Sequence, residues 1–142
     1  MGTETAGSIA PPSDGPPWSE LEVGLKVGPL VHTITAEMVR DFCAAMPADA
    51  TRYEAERVMP PTLLATDYIP LLRGHLSLGW GLMSRHSLRS VRPVTIGETV
   101  TVTGEIIDKF ERKGRHYWTL RYDVSNARGE LCVENVVTCS VD

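Results

Sequence analysis

Arg85, Arg89 and Arg92 crowd into one short stretch of a chain whose formal net charge is -4. Three guanidiniums together in an acidic protein form a local cationic row, suited to the phosphates of an anionic ligand. His86 lies between the first two and could exchange protons near neutral pH, although a strand histidine at a subunit edge is the simpler expectation. The basic residues Lys109, Arg112, Lys113 and Arg115 fit an anion site or a solvated hairpin tip equally well. Asp67 and Tyr68 fall in the apolar stretch TLLATDYI, where a carboxylate needs a partner or an open side because unpaired burial is costly. The expectation is that Asp67 faces the open side. His32, His75 and His116 are scattered and not paired with other ligand types at i,i+4, so no metal site is expected. Cys43, Cys132 and Cys139 form no CxxC pair and read as structural thiols. Cys132 and Cys139, at odd separation in one strand, point to opposite faces and are not expected to bridge.

The elements that position these groups can be read along the chain. Residues 1–17 (MGTETAGSIAPPSDGPP) are small, polar and rich in proline and glycine, which predicts a disordered tail, with one domain over 18–142. Val27 to Ile34 predicts a first strand. Thr35 is placed to cap a helix over Ala36 to Ala45, whose residues Met38, Val39, Phe42 and Ala45 form an apolar stripe ended by Pro47. Residues 47–57 read as a polar connector. Pro60-Pro61 opens a second, strongly apolar helix through Ile69, with Pro70 expected to kink or end it. Four strands follow, over 82–92, 99–111, 115–126 and 130–141, separated by turn residues and expected to pair consecutively as a meander. In the third of them His116, Trp118, Leu120, Tyr122 and Val124 are assigned to the core face. Such a sheet has an apolar face that needs a cover, and the Pro60–Ile69 segment is the available one. The fold class is therefore α+β, a curved antiparallel sheet wrapped around a central helix, the hotdog arrangement. Unpaired sheet edges predict dimerisation.

The 18 acidic against 14 basic residues, with a pI near 5.5, argue against nucleic acid as the main partner. No apolar run is long enough to cross a bilayer, and the first residues lack the basic start and apolar stretch of a signal peptide, so a cytoplasmic location is expected.

Three stretches, LEVGLKVGPLVHTITAEMVRDFCAAM, RVMPPTLLAT and VRPVTIGETVTVTGEIIDKFERKGRHYW, resemble the MaoC-like dehydratases and (R)-specific enoyl-CoA hydratases, in the order and spacing of that family. The resemblance covers nearly all of 18–142. It implies the hotdog fold, no cofactor, and an enoyl or 3-hydroxyacyl thioester of coenzyme A or an acyl-carrier protein as substrate. Catalysts of the family carry a D-x-N-P-x-H pattern after the first helix, whose acid and base add water across an enoyl thioester. Here Ala48 takes the aspartate position and Tyr53 the histidine position. A one-residue slip brings in Asp49, but no histidine follows it, and Tyr53 is a poor base at neutral pH. The family's glycine amide, which stabilises enolate charge, is replaced by Pro61, leaving the Thr62 amide at a helix N-terminus as the substitute donor. Pro61, Thr62 and Thr66 of the LLAT match are thus expected to bind substrate, together with Arg85, Arg89 and Arg92.

These departures resemble the catalytically silent halves of the family. The leading expectation is an acyl-thioester-binding subunit that pairs with a catalytic hotdog chain to make a hydratase or dehydratase. An alternative is a self-sufficient homodimer using a shifted set from Asp49, Tyr53 and His86; another is a non-catalytic acyl-CoA binding module.

Overall fold

The computed structural model describes residues 15–46, 49–79 and 81–141. Ala48, the position matched to the catalytic aspartate, lies outside the described residues, as do residues 1–14 of the expected tail. Gly15 to Pro17 lie along the body of the domain, where the Pro16 carbonyl accepts from the Ser77 amide at 2.9 Å.

Strand β1 (Lys26–Thr33) leads into helix α1 (Ala36–Ala45). The Thr35 hydroxyl accepts from the Met38 amide at 3.1 Å, the cap expected from sequence, and α1 buries Val39 and Cys43. The stretch read as a polar connector instead forms α2 (Ala50–Glu56). Asp49 starts it by accepting from the Thr51 amide at 3.0 Å, and Arg57 ends it in the left-handed conformation. Seven residues without a long apolar stripe give no clear periodic signal, so the cap was the main sign of a helix here.

The long strands β2 (Met83–Ser90), β3 (Thr99–Arg112), β4 (Arg115–Ser125) and β5 (Leu131–Val141) form one five-stranded antiparallel sheet in the order β1-β3-β4-β5-β2. β3, β4 and β5 pair consecutively. β2 does not join that meander beside β3; it pairs with β5 at the far edge. The connection over 91–98 crosses the end of the sheet and is fixed by burial of Val94 and Ile96 and by a bond from the Met59 amide to the Val94 carbonyl at 2.8 Å. Trp118, Leu120, Tyr122 and Val124 are buried on the concave face, as alternation in β4 predicts. His116 is not; it sits near the surface against Trp18, ring centroids 4.3 Å apart.

Gly28, at φ +99°, lies where a Cβ would come within 2.8 Å of the Val102 carbonyl, so β1 crosses β3 too closely for any side chain there. The three cysteines are free and buried. Among the described residues no helix is long and apolar enough to cross a membrane.

Candidate functional site

The segment Pro61–Asp67 lies across the concave face of the sheet, but as a chain of tight turns and not a helix. Its bonds run from Leu63 to Pro60, Ala65 to Thr62, Asp67 to Leu64 and Ile69 to Thr66, each an amide reaching three residues back at 3.0–3.1 Å. The sequence explains this. Pro70 has no N–H to give the Thr66 carbonyl, so Ile69 supplies the bond one residue early. A five-residue helix, α3 (Tyr68–Leu72), begins only after Asp67. Pro70 occupies its first turn, where a missing amide does no harm. The expected helix over Pro60–Ile69 is thus corrected, and Thr62 does not stand at a helix N-terminus.

Leu64, Asp67, Leu71 and Leu72 point inward, while Thr62, Thr66 and Pro70 are exposed. Asp67 is only 7 % exposed, contrary to the expectation that it faces outward. What holds it is His32 on β1, whose Nε2 lies 2.8 Å from its Oδ2. Burial pushes the Asp67 carboxyl above the ordinary carboxylate range, and His32, through its hydrogen bond and charge, pulls it partly back. The other ring nitrogen of His32 has no hydrogen-bond partner among the described residues, and the side chain is 28 % exposed. This is an imidazole oriented by a carboxylate, with one nitrogen left to exchange a proton.

Two further polar groups share the concave face. The Tyr122 hydroxyl donates to the Ala65 carbonyl and anchors the segment to the centre of the sheet. Burial, then the nearby Tyr68 and Asp67, pushes its ionisation far up, so it remains a donor. His86 Nε2 lies 2.9 Å from Oδ1 of buried Asn135, its ring 6.2 Å from that of Tyr122.

Where the segment begins, a cleft of about 300 Å³ opens between α2, Val58–Pro61 and Ser90–Val94. Its walls are mostly apolar: Val58, Met59, Pro61, Val91, Pro93, Val94 and Val133. Tyr53, Ser90 and Arg92 are the polar groups on it. A smaller cavity, about 80 Å³, lies between α3 and the sheet against Tyr68, Trp118 and Cys139. Burial raises the Cys139 thiol to about 12, which leaves it inert as a nucleophile.

The structure therefore gathers three of the residues singled out in the sequence, Tyr53, Pro61 and Arg92, on one cleft, and separates the others. Asp49 is exposed and occupied in capping α2. His86 faces the sheet's concave side against Asn135. Thr62 and Thr66 are exposed on the segment and do not line the cleft. Arg89 binds Glu134 at 3.3 Å, Arg92 approaches Glu130 at 3.8 Å, and Arg85 is exposed on β2. Asp49, Tyr53 and His86 share no hydrogen bond among the described residues. The His32–Asp67 pair is the feature that sequence reasoning missed. Its signal was present: Leu64, Asp67 and Leu71 share helical spacing, and Leu30 and His32 share a strand face.

No family model and no curated protein sequence matches the chain. Solved structures do. A monoamine oxidase regulatory protein from Archaeoglobus fulgidus has a TM-score of 0.73 at 18% identity, over 90% of this chain and 95% of that one. The R-hydratase PhaJ1 from Pseudomonas aeruginosa gives 0.69 at 22% identity, over 88% and 84%. The HadBC (3R-hydroxyacyl-ACP dehydratase) complex from Mycobacterium tuberculosis gives 0.71 at 23% identity, over 83% and 96%. With its five-stranded sheet curved over the Pro61–Leu72 segment, the chain has the hotdog fold that MaoC-like dehydratases and R-hydratases share.

Proposed function

We propose that this chain is an acyl-thioester-binding hotdog subunit of an enoyl-CoA hydratase or 3-hydroxyacyl dehydratase, working in the cytoplasm without a cofactor and paired with a catalytic hotdog chain. The observation that carries the reading is the cleft. An apolar wall with one arginine and a tyrosine hydroxyl suits an amphipathic ligand, an acyl–pantetheine arm with phosphate at the mouth. The positions that would hold the usual acid and base carry Ala48 and Tyr53, so efficient turnover falls to the partner. Two of the similar structures are complexes by their own descriptions, HadBC and ChsH1-ChsH2 from Mycobacterium tuberculosis, which supports a paired subunit.

The test is calorimetric titration of the purified chain with crotonyl-CoA, followed by a hydration assay with and without a co-expressed hotdog chain carrying D-x-N-P-x-H. Saturable binding, weak hydration alone and strong hydration in the pair are expected. Binding without turnover in either setting would make the chain a non-catalytic acyl-CoA module. Absence of binding would remove the reading.

A second reading is favoured by one observation, the His32–Asp67 pair. It gives the chain an oriented imidazole of its own and so revives a self-sufficient homodimer. Hydration by the isolated chain, lost in His32→Gln with crotonyl-CoA binding retained, would select it over the first.

A further inference from the structure

The centre of the sheet holds a buried donor without an acceptor. Trp118 on β4 is 1 % exposed, and its indole N–H finds no hydrogen-bond partner among the described residues. Trp18 differs: its indole donates to the Tyr117 carbonyl at 2.9 Å. A buried N–H left unpaired is costly, and folded proteins keep few of them without a water, a ligand or a function to account for the cost.

Trp118 is also a wall of the cavity of about 80 Å³ between α3 and the sheet. Tyr68 and Ile69 close that cavity from α3, Cys139 from β5, and Leu78 and Met83 from the chain that enters β2. Its lining residues include no acid and no base. Burial pushes the Cys139 thiol up to about 12 and raises the Tyr68 phenol, so both stay neutral. A carboxylate or phosphate would be stranded there without a counter-charge. Water is a poor occupant as well. An ordered water needs two to four polar partners, the walls are mostly apolar, and the Ser140 hydroxyl is already taken by the Leu82 amide at 3.0 Å. What the walls suit is an apolar fragment with one neutral oxygen to accept from Trp118.

The cavity is separate from the cleft. Val133 on the cleft and Cys139 on the cavity stand six positions apart on β5. At about 3.3 Å per residue that is about 20 Å. Asn135 and Val137 between them are 1 % and 0 % exposed, so packed side chains fill the interval.

We propose that this cavity is a second binding site, for a small uncharged ligand or ligand group that carries a ketone or ether oxygen, with the Trp118 N–H as its donor. The inference goes beyond the subunit reading and does not depend on thioester binding at the cleft.

The test uses the full chain and two probes of one shape: 2-butanone, and 2-methyl-1-butene, in which a methylene replaces the oxygen. The chain has three tryptophans, so three indole N–H signals are followed by NMR. The Trp118 signal is the one missing from Trp118→Phe or, should that variant not fold, the one with through-space contacts to Tyr68 and Cys139. The ketone should move this signal downfield and saturably, and the alkene should not. In Trp118→Phe the affinity for the ketone should fall about two- to tenfold relative to that for the alkene, the loss of one neutral hydrogen bond. A Trp118 signal that stays in place under the ketone, as a cavity filled by water alone would leave it, would overturn the proposal. So would a ketone-to-alkene ratio equal in both proteins, or shifts centred on the cleft.

Discussion

Replacing His32 with alanine strands Asp67 in the core, and the consequences can be worked from the structure. The carboxylate is 7 % exposed, and among the described residues its one side-chain partner is His32 at 2.8 Å. Removing one member of a buried pair costs about 3–5 kcal/mol. The stranded group can escape part of this by taking up a proton. From an ordinary pKa near 3.9, that limits the loss at pH 7 to about 4 kcal/mol, at roughly 1.4 kcal/mol per unit. The partial exposure of His32 lets water into the gap, so about 2–4 kcal/mol is expected, a fall of about 7–14 °C in midpoint for a domain this size. The sign with pH follows from the direction of the shift. Burial raises the folded-state pKa of Asp67 above its ordinary value of 3.8, so the folded chain holds this proton more tightly than the unfolded one. Its contribution to stability therefore declines as pH rises from 3.8 through the folded value. Without His32 that value climbs further, and the penalty in His32→Ala should shrink as pH falls, by up to about 1.4 kcal/mol per unit between the two folded values. Adding Asp67→Leu should restore most of the loss, since removing both partners leaves no orphaned charge. Thermal melts of the three proteins between pH 5 and 8 provide the assay. A His32→Ala loss that does not change with pH, or a double variant as unstable as the sum of the singles, would refute the reasoning.

Tyr122→Phe removes the hydroxyl that holds Ala65 and should cost about 1–3 kcal/mol in denaturant unfolding, because the half-buried carbonyl loses its side-chain partner. Thr35→Ala should cost about 1 kcal/mol through loss of the α1 cap, with thioester affinity unchanged. Arg92→Ala should weaken crotonyl-CoA binding by about tenfold in calorimetry, the loss of one charge-assisted contact, and reduce its salt dependence. Asp49→Asn should leave any hydration rate unchanged, because the side chain caps α2 and an amide oxygen serves as well.

The fold was legible because its largest signals are periodic. Alternation in 99–141 placed three long strands and chose the buried face of β4, and the Thr35 cap placed α1 to the residue. The failures have local causes. α2 lacks an apolar stripe, so period analysis passed over it. The segment after Pro60-Pro61 is apolar enough for a core helix, but Pro70 has no amide, so the Ile69 amide bonds the Thr66 carbonyl instead and the turn tightens. The place of β2 in the sheet depends on the buried path of Val94 and Ile96 across the sheet's end, which turn residues alone do not encode. At the site, matching by position singled out Tyr53 and Pro61, and the clustering of arginines singled out Arg92; the fold brings all three to one cleft. It passed over His32–Asp67: the spacing placed each residue on an inward face, but the two lie 35 residues apart and meet only once the segment crosses the sheet.

The most direct test of the account asks where an acyl thioester touches the protein. Amide hydrogen exchange should be measured with butyryl-CoA, with free coenzyme A and with neither. Slowed exchange is expected over residues 53–61 and 90–96 with butyryl-CoA, and a smaller effect confined to the stretch around Arg92 with coenzyme A. Unchanged exchange in both stretches while the thioester is bound would contradict it, as would protection centred on another face of the sheet.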